Sequence, residues 1–351
     1  MKILLNAMKY DYGDPKRGFS FEYETFHKTM VDSGYEVFLF DFMTICKEKG
    51  KEEMNKLLLE AVEKEKPDMV FTILYADEFL PATLRKIRDD HGRSIAWMCD
   101  DKWRWNDFGG KICKNFNYTV TTDPDSIWKY ESIGYKGAIL SQWACSPQIH
   151  KKLDIKKDID VSFIGLANPW RRYVIKFLAK KGINVECFGH GWGNGRVDQK
   201  KMIEIFNRSK INLNLSNASK SDFRYLTHVN LQLDKEKTWK QNIYNIFGPQ
   251  IDFLLSKKNK EDMKARFFEV TGCSGFLLSY NVDHLDKYFE IGEEIVCYKS
   301  PDDLAEKIKY FLENEKERDE IAEKGYKRAH RDHTYAKRFQ FLFTKAIKRT
   351  S

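Results

Sequence analysis

The sequence predicts an α/β protein built as two doubly wound domains, and three observations predict it. Short apolar runs alternate with helical runs of 10 to 15 residues along most of the chain, the pattern of parallel strands joined by crossovers. The series breaks at a polar, lysine-rich stretch, SPQIHKKLDIKKD (146–158), and then begins again. The chain also has 351 residues, which suits two domains of roughly 150 residues each.

In the first half, Lys2–Asn6 reads as a strand and a glycine-bearing loop, Gly13–Gly18, follows it. A helix at Ser20–Ser33, closed by Gly34, leads to a strand at Glu36–Phe40. The pattern continues with helix Glu52–Glu65, strand Met69–Leu74, helix Pro81–Asp90 and strand Ser94–Met98. Strands at Tyr118–Thr122 and Gly137–Ser141 flank a helix at Asp125–Ile133. Ligands of such sheets bind at the carboxyl ends of the strands. Three features fall there. The first loop holds Arg17 and Gly18, where a glycine lets backbone approach a ligand closely; the bland alternative is a surface turn. The fourth strand runs into Asp100-Asp101 and then Lys102-Trp103-Arg104-Trp105. Carboxylates beside tryptophans suit a sugar site, because indole faces stack on pyranose rings and a carboxylate serves as general base. Adjacent residues point different ways, so one of the pair is expected to face a ligand, with Asp100 preferred and Asp101 second; the alternative is an N-cap for the next helix. Thr121–Ser126 reads as a capping sequence with Asp123 as the cap.

In the second half, strand Asp160–Ile164 ends at Gly165, and Asn168-Pro169-Trp170-Arg171-Arg172 opens a helix. Cations in a first helical turn oppose the helix dipole unless an anion binds there, so Arg171 and Arg172 are candidate phosphate contacts. Strand Val185–Gly189 leads into the glycine-dense HGWGNG (190–195), with Gly189 and His190 as further candidates for a pyrophosphate or a base. A strand is expected at Ile211–Ser216 and an insertion over 217–262. KARFFEVTGCSGFLLS (264–279) then reads as a short helix, a glycine turn and a strand. Lys264 and Arg266 would offer cations to a diphosphate, and Glu269 would accept hydrogen bonds from a vicinal diol such as a ribose. The alternative is a solvated helix with a glycine cap. Strand Glu294–Tyr298 follows, then a helix capped by Ser300 with Pro301 at its first position, and a last helical run broken near His333.

Composition narrows the class. Hydrophobic residues make up 42% of the chain and aromatics 14%, which excludes a disordered protein. No apolar run approaches the ~20 residues of a membrane span, and the N-terminus lacks the small-residue cleavage site of a signal peptide. Seven cysteines show no regular spacing, so reduced thiols and a cytoplasmic location are expected. The eight histidines show no metal-ligand pairing. A net charge of +8 suits an anionic substrate, a membrane surface or nucleic acid without choosing among them.

Taken in order, RGFSFEYETFHKTMVDSGYEVFLF, IAWMCDD, YTVTTDPDSIWKYESIGY, DVSFIGLANPWRR, FGHGW, KARFFEVTGCSGFLL, IGEEIVCYKSPDDLAEKIKYFL and HTYAKRFQFL resemble two-domain glycosyltransferases of the GT-B fold, in particular the CgeB-like group of spore-maturation-type proteins. The resemblance implies two Rossmann-like domains facing each other across a cleft. An acceptor-side domain would span 1–148 and a donor domain 149–332, with a C-terminal helix, 333–351, crossing back to the first. It implies transfer of a sugar from a nucleotide-diphosphate sugar, a UDP-sugar foremost, to the hydroxyl of a glycan, cell-surface polymer or small molecule. That transfer needs no metal and no cofactor beyond the co-substrate. On that pattern Glu269 is the ribose glutamate and Arg266 a diphosphate contact, with Lys264, Arg171 and Arg172 beside it. Gly18, Gly165, Gly189 and His190 join the donor set, and Asp100 or Asp101 serves as base or acceptor anchor. The family often pairs two glutamates separated by seven residues, and Glu261 and Glu269 have that spacing without the usual intervening glycine- and proline-bearing loop. Two other enzymes compete on the same fold, a transferase acting on DNA bases, with nucleic acid as partner, and a nucleotide-sugar 2-epimerase. A non-catalytic sugar-nucleotide sensor is the reading from another class.

Overall fold

The computed structural model describes residues 1–215 and 262–348. The chain forms two compact units, Met1–Ile149 with Asp332–Ser351, and His150–Arg331.

The first unit is built on a six-stranded parallel sheet in the order β2-β1-β3-β4-β5-β6. The strands are β1 (Lys2–Asn6), β2 (Glu36–Phe40), β3 (Met69–Ile73), β4 (Ser94–Met98), β5 (Tyr118–Thr121) and β6 (Ala138–Leu140). Every residue of β3 and β4 is buried, as expected of inner strands covered on both faces. Edge strand β2 instead exposes Glu36 and Phe38. Leu4, Val70, Ala96, Leu58 and Leu84 share one core cluster, each buried aliphatic side chain contributing about 1.5–3 kcal/mol. A helix not anticipated from the sequence, Phe42–Lys49, inserts Phe42 and Met43 into it. The first helix is π-helical over Glu22–His27 and α-helical over Lys28–Asp32.

The last helix, Tyr335–Lys348, belongs to this first unit. Cys145 N–H donates to the His333 carbonyl at 2.9 Å, and Tyr335 N–H returns a bond to the Cys145 carbonyl at 2.9 Å. Beyond that anchor, Phe339 packs on Phe26 (5.3 Å between ring centres) and Phe343 on Tyr35 (5.2 Å).

The second unit carries a five-stranded parallel sheet, β11-β10-β9-β7-β8. Its strands are β7 (Ile159–Ile164), β8 (Glu186–Phe188), β9 (Ser209–Asn214), β10 (Leu277–Tyr280) and β11 (Val296–Tyr298). The helix Gln199–Arg208, capped by the Asp198 side chain, enters β9 and was also absent from the sequence reading. Strand β9 begins two residues earlier than expected, at Ser209. Ser300 caps the helix Pro301–Glu313 as expected, its side chain accepting from Asp303 N–H. The expected insertion at 217–262 lies outside the described residues except for Asp262, and Glu261 lies outside them altogether. No described helix is long and apolar enough to cross a membrane.

The two sheets share a connectivity. Each chain section lays its first strand inside the sheet, its second to one side, and the rest to the other. The strand order therefore reverses between β1 and β3 in the first unit and between β7 and β9 in the second, and such switch points are where open α/β sheets take their ligands.

Candidate active site

In the second unit the switch point is spanned by a single guanidinium. Arg171, three residues past the Asn168 cap, donates from Nη1 to the Leu166 carbonyl after β7 (2.9 Å) and from Nε to the Leu215 carbonyl after β9 (2.8 Å). Its ring neighbour is Phe163, 5.3 Å away. Burial, together with the like charge of Arg266, holds its pKa down to about 10 against a partly opposing pull from Tyr298. The carbonyls thus relieve the repulsion between first-turn cations and the helix dipole that the sequence left open. Arg172 makes the companion bond, Nη2 to the Gly191 carbonyl at 2.5 Å, with its guanidinium 5.3 Å from the Trp192 ring.

Two glycines cross beside them. A Cβ on Gly189, whose φ is +122°, would lie 2.3 Å from the Gly165 carbonyl oxygen. Gly165 N–H bonds the Phe188 carbonyl at 2.9 Å, and Trp192 Nε1 donates to the Gly165 carbonyl at 2.9 Å. The exposed His190 enters through its backbone, its carbonyl accepting from Ala167 N–H at 2.9 Å.

The helix Arg266–Gly272 leads into parallel strand β10 and so starts on the carboxyl side of the sheet. Glu269, one turn in, is 3% exposed. The sequence expected a carboxylate presented to a ribose; the structure engages it with Arg266 Nη1 at 2.8 Å and sets His150 Nε2 3.9 Å away. The physical reason is the inward face of the helix, where a carboxylate requires a cation partner. Arg266 also lies 5.0 Å from the Phe206 ring. Lys264, expected at a diphosphate, is paired with Asp262 at 2.7 Å. His150 is fully buried and meets the Gln199 amide at 3.3 Å. Neither His150 nor Trp192 was singled out from the sequence. Trp192 carried a signal, its place inside HGWGNG, whereas His150 sits in a lysine-rich stretch with no pattern around it.

Gly18 and the aspartate pair lie in the first unit. Gly18 is exposed at φ +81°, and its carbonyl closes the loop after β1 by accepting from Asp11 N–H at 3.0 Å. Asp100 is half-buried at the cap position of the helix Asp101–Arg104; its carbonyl accepts from Trp103 and Arg104, and its side chain forms no cap bond. Asp101 is 3% exposed and accepts a 2.5 Å bond from Tyr130 Oη. Of the pair, the structure turns Asp101 into the core, so the second-choice catalytic assignment gives way to a structural one. Asp123 caps the next turn, its carboxylate accepting from Asp125 N–H (3.4 Å) and Ser126 Oγ (2.6 Å).

Comparisons place this geometry. A family model described as glycosyl transferase-like matches residues 171–344. Sucrose-phosphate synthase from Thermosynechococcus elongatus aligns over 99% of both chains at 10% identity with a TM-score of 0.63. Anabaena HepE in complex with UDP-glucose aligns over 99% of this chain and 100% of its own, at 10% identity and a TM-score of 0.62. T4 phage BGT in complex with UDP and Mn2+ aligns over 99% of both, at 12% identity and a TM-score of 0.56. No curated protein matches the chain in sequence.

The chain has the GT-B fold and carries a glycosyl transferase-like domain over residues 171–344.

Asp101 gives the chain a pH-dependent stability. Burial pushes its carboxyl up to about 6, against the opposing bonds from Tyr130 and Thr121 and the charge of Lys129. An unfolded aspartate titrates near about 3.9. The folded state therefore holds a proton that the unfolded chain has lost, and stability from this group falls as pH rises from about 4 to about 6. The drop is about 3 kcal/mol if the shift is fully expressed. Asp101→Asn is expected to remove that slope and to be at least as stable as the parent at pH 8, measured by urea unfolding across pH. An unchanged slope in the variant would show that another group carries it.

Proposed function

We propose that the glycosyltransferase transfers a sugar from a nucleotide-diphosphate donor, a UDP-sugar foremost, to an acceptor hydroxyl, and does so without a metal. The observation that carries the donor assignment is Arg171 fixed across the switch point of the second sheet, beside the Gly165–Gly189 crossing. A half-buried cation at that position, with Arg172 and Arg266 near it, favours an anion, and a nucleoside diphosphate leaving group supplies one. The complexes of Anabaena HepE with UDP-glucose and with UDP support the choice of base.

In this reading Arg171 and Arg172 hold the glycine loops in shape while the backbone there approaches the diphosphate. Glu269 and Arg266 exchange partners on binding: the carboxylate passes to the ribose hydroxyls and the guanidinium to the diphosphate, so each charge keeps a counterpart. Lys264 adds positive charge at the same helix start. Asp100 is the base or acceptor anchor, held half-buried at the end of β4. The Asp123 carboxylate is spent on capping, and in this reading the arginines carry the charge stabilisation in place of a metal. An intracellular setting fits the absence of any regular cysteine framework.

The test is a calorimetric titration of UDP, ADP and GDP, with UDP-sugar turnover followed in the presence and absence of EDTA. UDP is expected to bind selectively, Glu269→Gln to weaken it at least tenfold, and EDTA to leave turnover unchanged. Binding of none of the three nucleotides would sink the donor assignment, and turnover lost to EDTA and restored by Mn2+ would sink the metal-free one.

A further inference from the structure

The first unit presents a second built surface at its own switch point, between β1 and β3. The loop after β1 exposes Tyr12 (41%) and Phe19 (48%), and the loop after β3 exposes Tyr75 (44%). Tyr12 and Tyr75 meet edge to face, with ring centres 5.3 Å apart at 80°. Arg17 lies over Tyr12 at 4.7 Å and is fixed there by Asp11 at 2.9 Å. Phe19 stacks on Tyr10 at 5.6 Å and leans on Tyr23 at 4.8 Å. The loop after β4, which carries Asp100, is tied in through Arg104 Nη1, which donates to the Tyr75 carbonyl at 2.6 Å.

Tyr12 holds this position against its backbone preference. Its φ of 51° and ψ of 31° are left-handed, a conformation that glycine or asparagine adopts at little cost and a bulky aromatic residue does not. A loop that only had to turn has no use for a strained tyrosine with its ring in water, and strain of this kind collects at ligand sites. Burial does not explain the rings either, since three of them expose over 40% of their surface.

We propose that Tyr12 and Tyr75 form a stacking platform for the pyranose ring of the acceptor. The C–H face of a pyranose packs on an aromatic face, and the Arg17–Asp11 pair offers a donor and an acceptor to ring hydroxyls. This rests on the reading of the enzyme as a transferase to a hydroxyl, and it names the class of compound that carries the hydroxyl. The strand order puts the platform where an open parallel sheet takes its ligand, and it puts the Asp100 loop beside it.

Saturation-transfer NMR of the full chain with methyl pyranosides of glucose, galactose, mannose and N-acetylglucosamine, with and without UDP, tests it. At least one pyranoside is expected to bind the parent. Tyr12→Gly, which relieves the left-handed strain and so keeps the fold, should weaken that binding about tenfold, the scale of one aromatic contact. Tyr12→Phe should retain it, and Tyr75→Ala should lose it. Binding of no pyranoside by the parent, or equal binding by Tyr12→Gly, overturns the platform. Displacement of the sugars by uridine in the parent overturns it too, since the rings would then hold a base. UDP affinity measured on the same proteins reports the donor site separately, so failure of either assignment is seen without the other.

Discussion

Alanine at position 189 is expected to cost roughly 3 kcal/mol or more of stability and to abolish UDP binding. Two independent terms add. A φ of +122° is a region that residues with a Cβ avoid. The new Cβ would also stand 2.3 Å from the Gly165 carbonyl oxygen and 2.8 Å from its carbon, both backbone atoms that no side-chain rotation can move away. Gly165 in turn is fixed by the Phe188 carbonyl and by Trp192, so the ends of β7 and β8 must separate. Gly193→Ala, in the same loop with no atom of the described residues within 4 Å of its Cβ position, is the control and should stay within about 0.5 kcal/mol. Urea unfolding of both variants checks this. Equal stability of the two would mean that the crossing carries no constraint.

The second large effect is at Glu269. Removing its carboxylate leaves Arg266 without its partner beside Arg171, two cations in a half-buried setting. Glu269→Ala is expected to destabilise the chain by about 2–4 kcal/mol, somewhat below the usual cost of breaking a fully buried pair because the Arg266 side chain is 22% exposed. Adding Arg266→Met removes the orphaned charge and should restore more than half of the loss. The double-mutant cycle decides the matter: additive single effects would show that the pair is not coupled. This is also why the nucleotide titration uses glutamine at 269, which keeps the shape and one acceptor.

The same pair shows what a sequence conceals. Spacing put Arg266 and Glu269 on one helix, three residues apart, and chemistry made both credible ligands. Whether the carboxylate faced a ligand or the core depended on what packed against the helix. Phe206 and Met202, which meet Arg266, belong to the helix Gln199–Arg208, in a stretch between the glycine-dense loop at 190–195 and the strand expected at 211 to which the sequence assigned no element. Its signal was present, with Asp198 as a cap and Met202, Ile203, Ile205 and Phe206 at helical spacing. Phe42–Lys49 was lost for a similar reason, because a second helix begins directly after Gly50.

What the sequence determined by itself is what local rules enforce. Alternating apolar and amphipathic runs specify parallel strands and their helices, and Ser300, Asn168 and Asp123 cap helices wherever the chain goes, since a cap bond joins near neighbours. The polar stretch at 146–158 marks the change from one unit to the next. What only the tertiary structure decided is long-range. Strand order sets the switch points and thereby brings Leu215 to Arg171 and Tyr75 to Tyr12, pairs 44 and 63 residues apart in sequence. Burial turned Asp101 inward and left Asp100 at the strand end. A residue's partners across a sheet follow from the packing of whole elements, and no window of sequence contains that information.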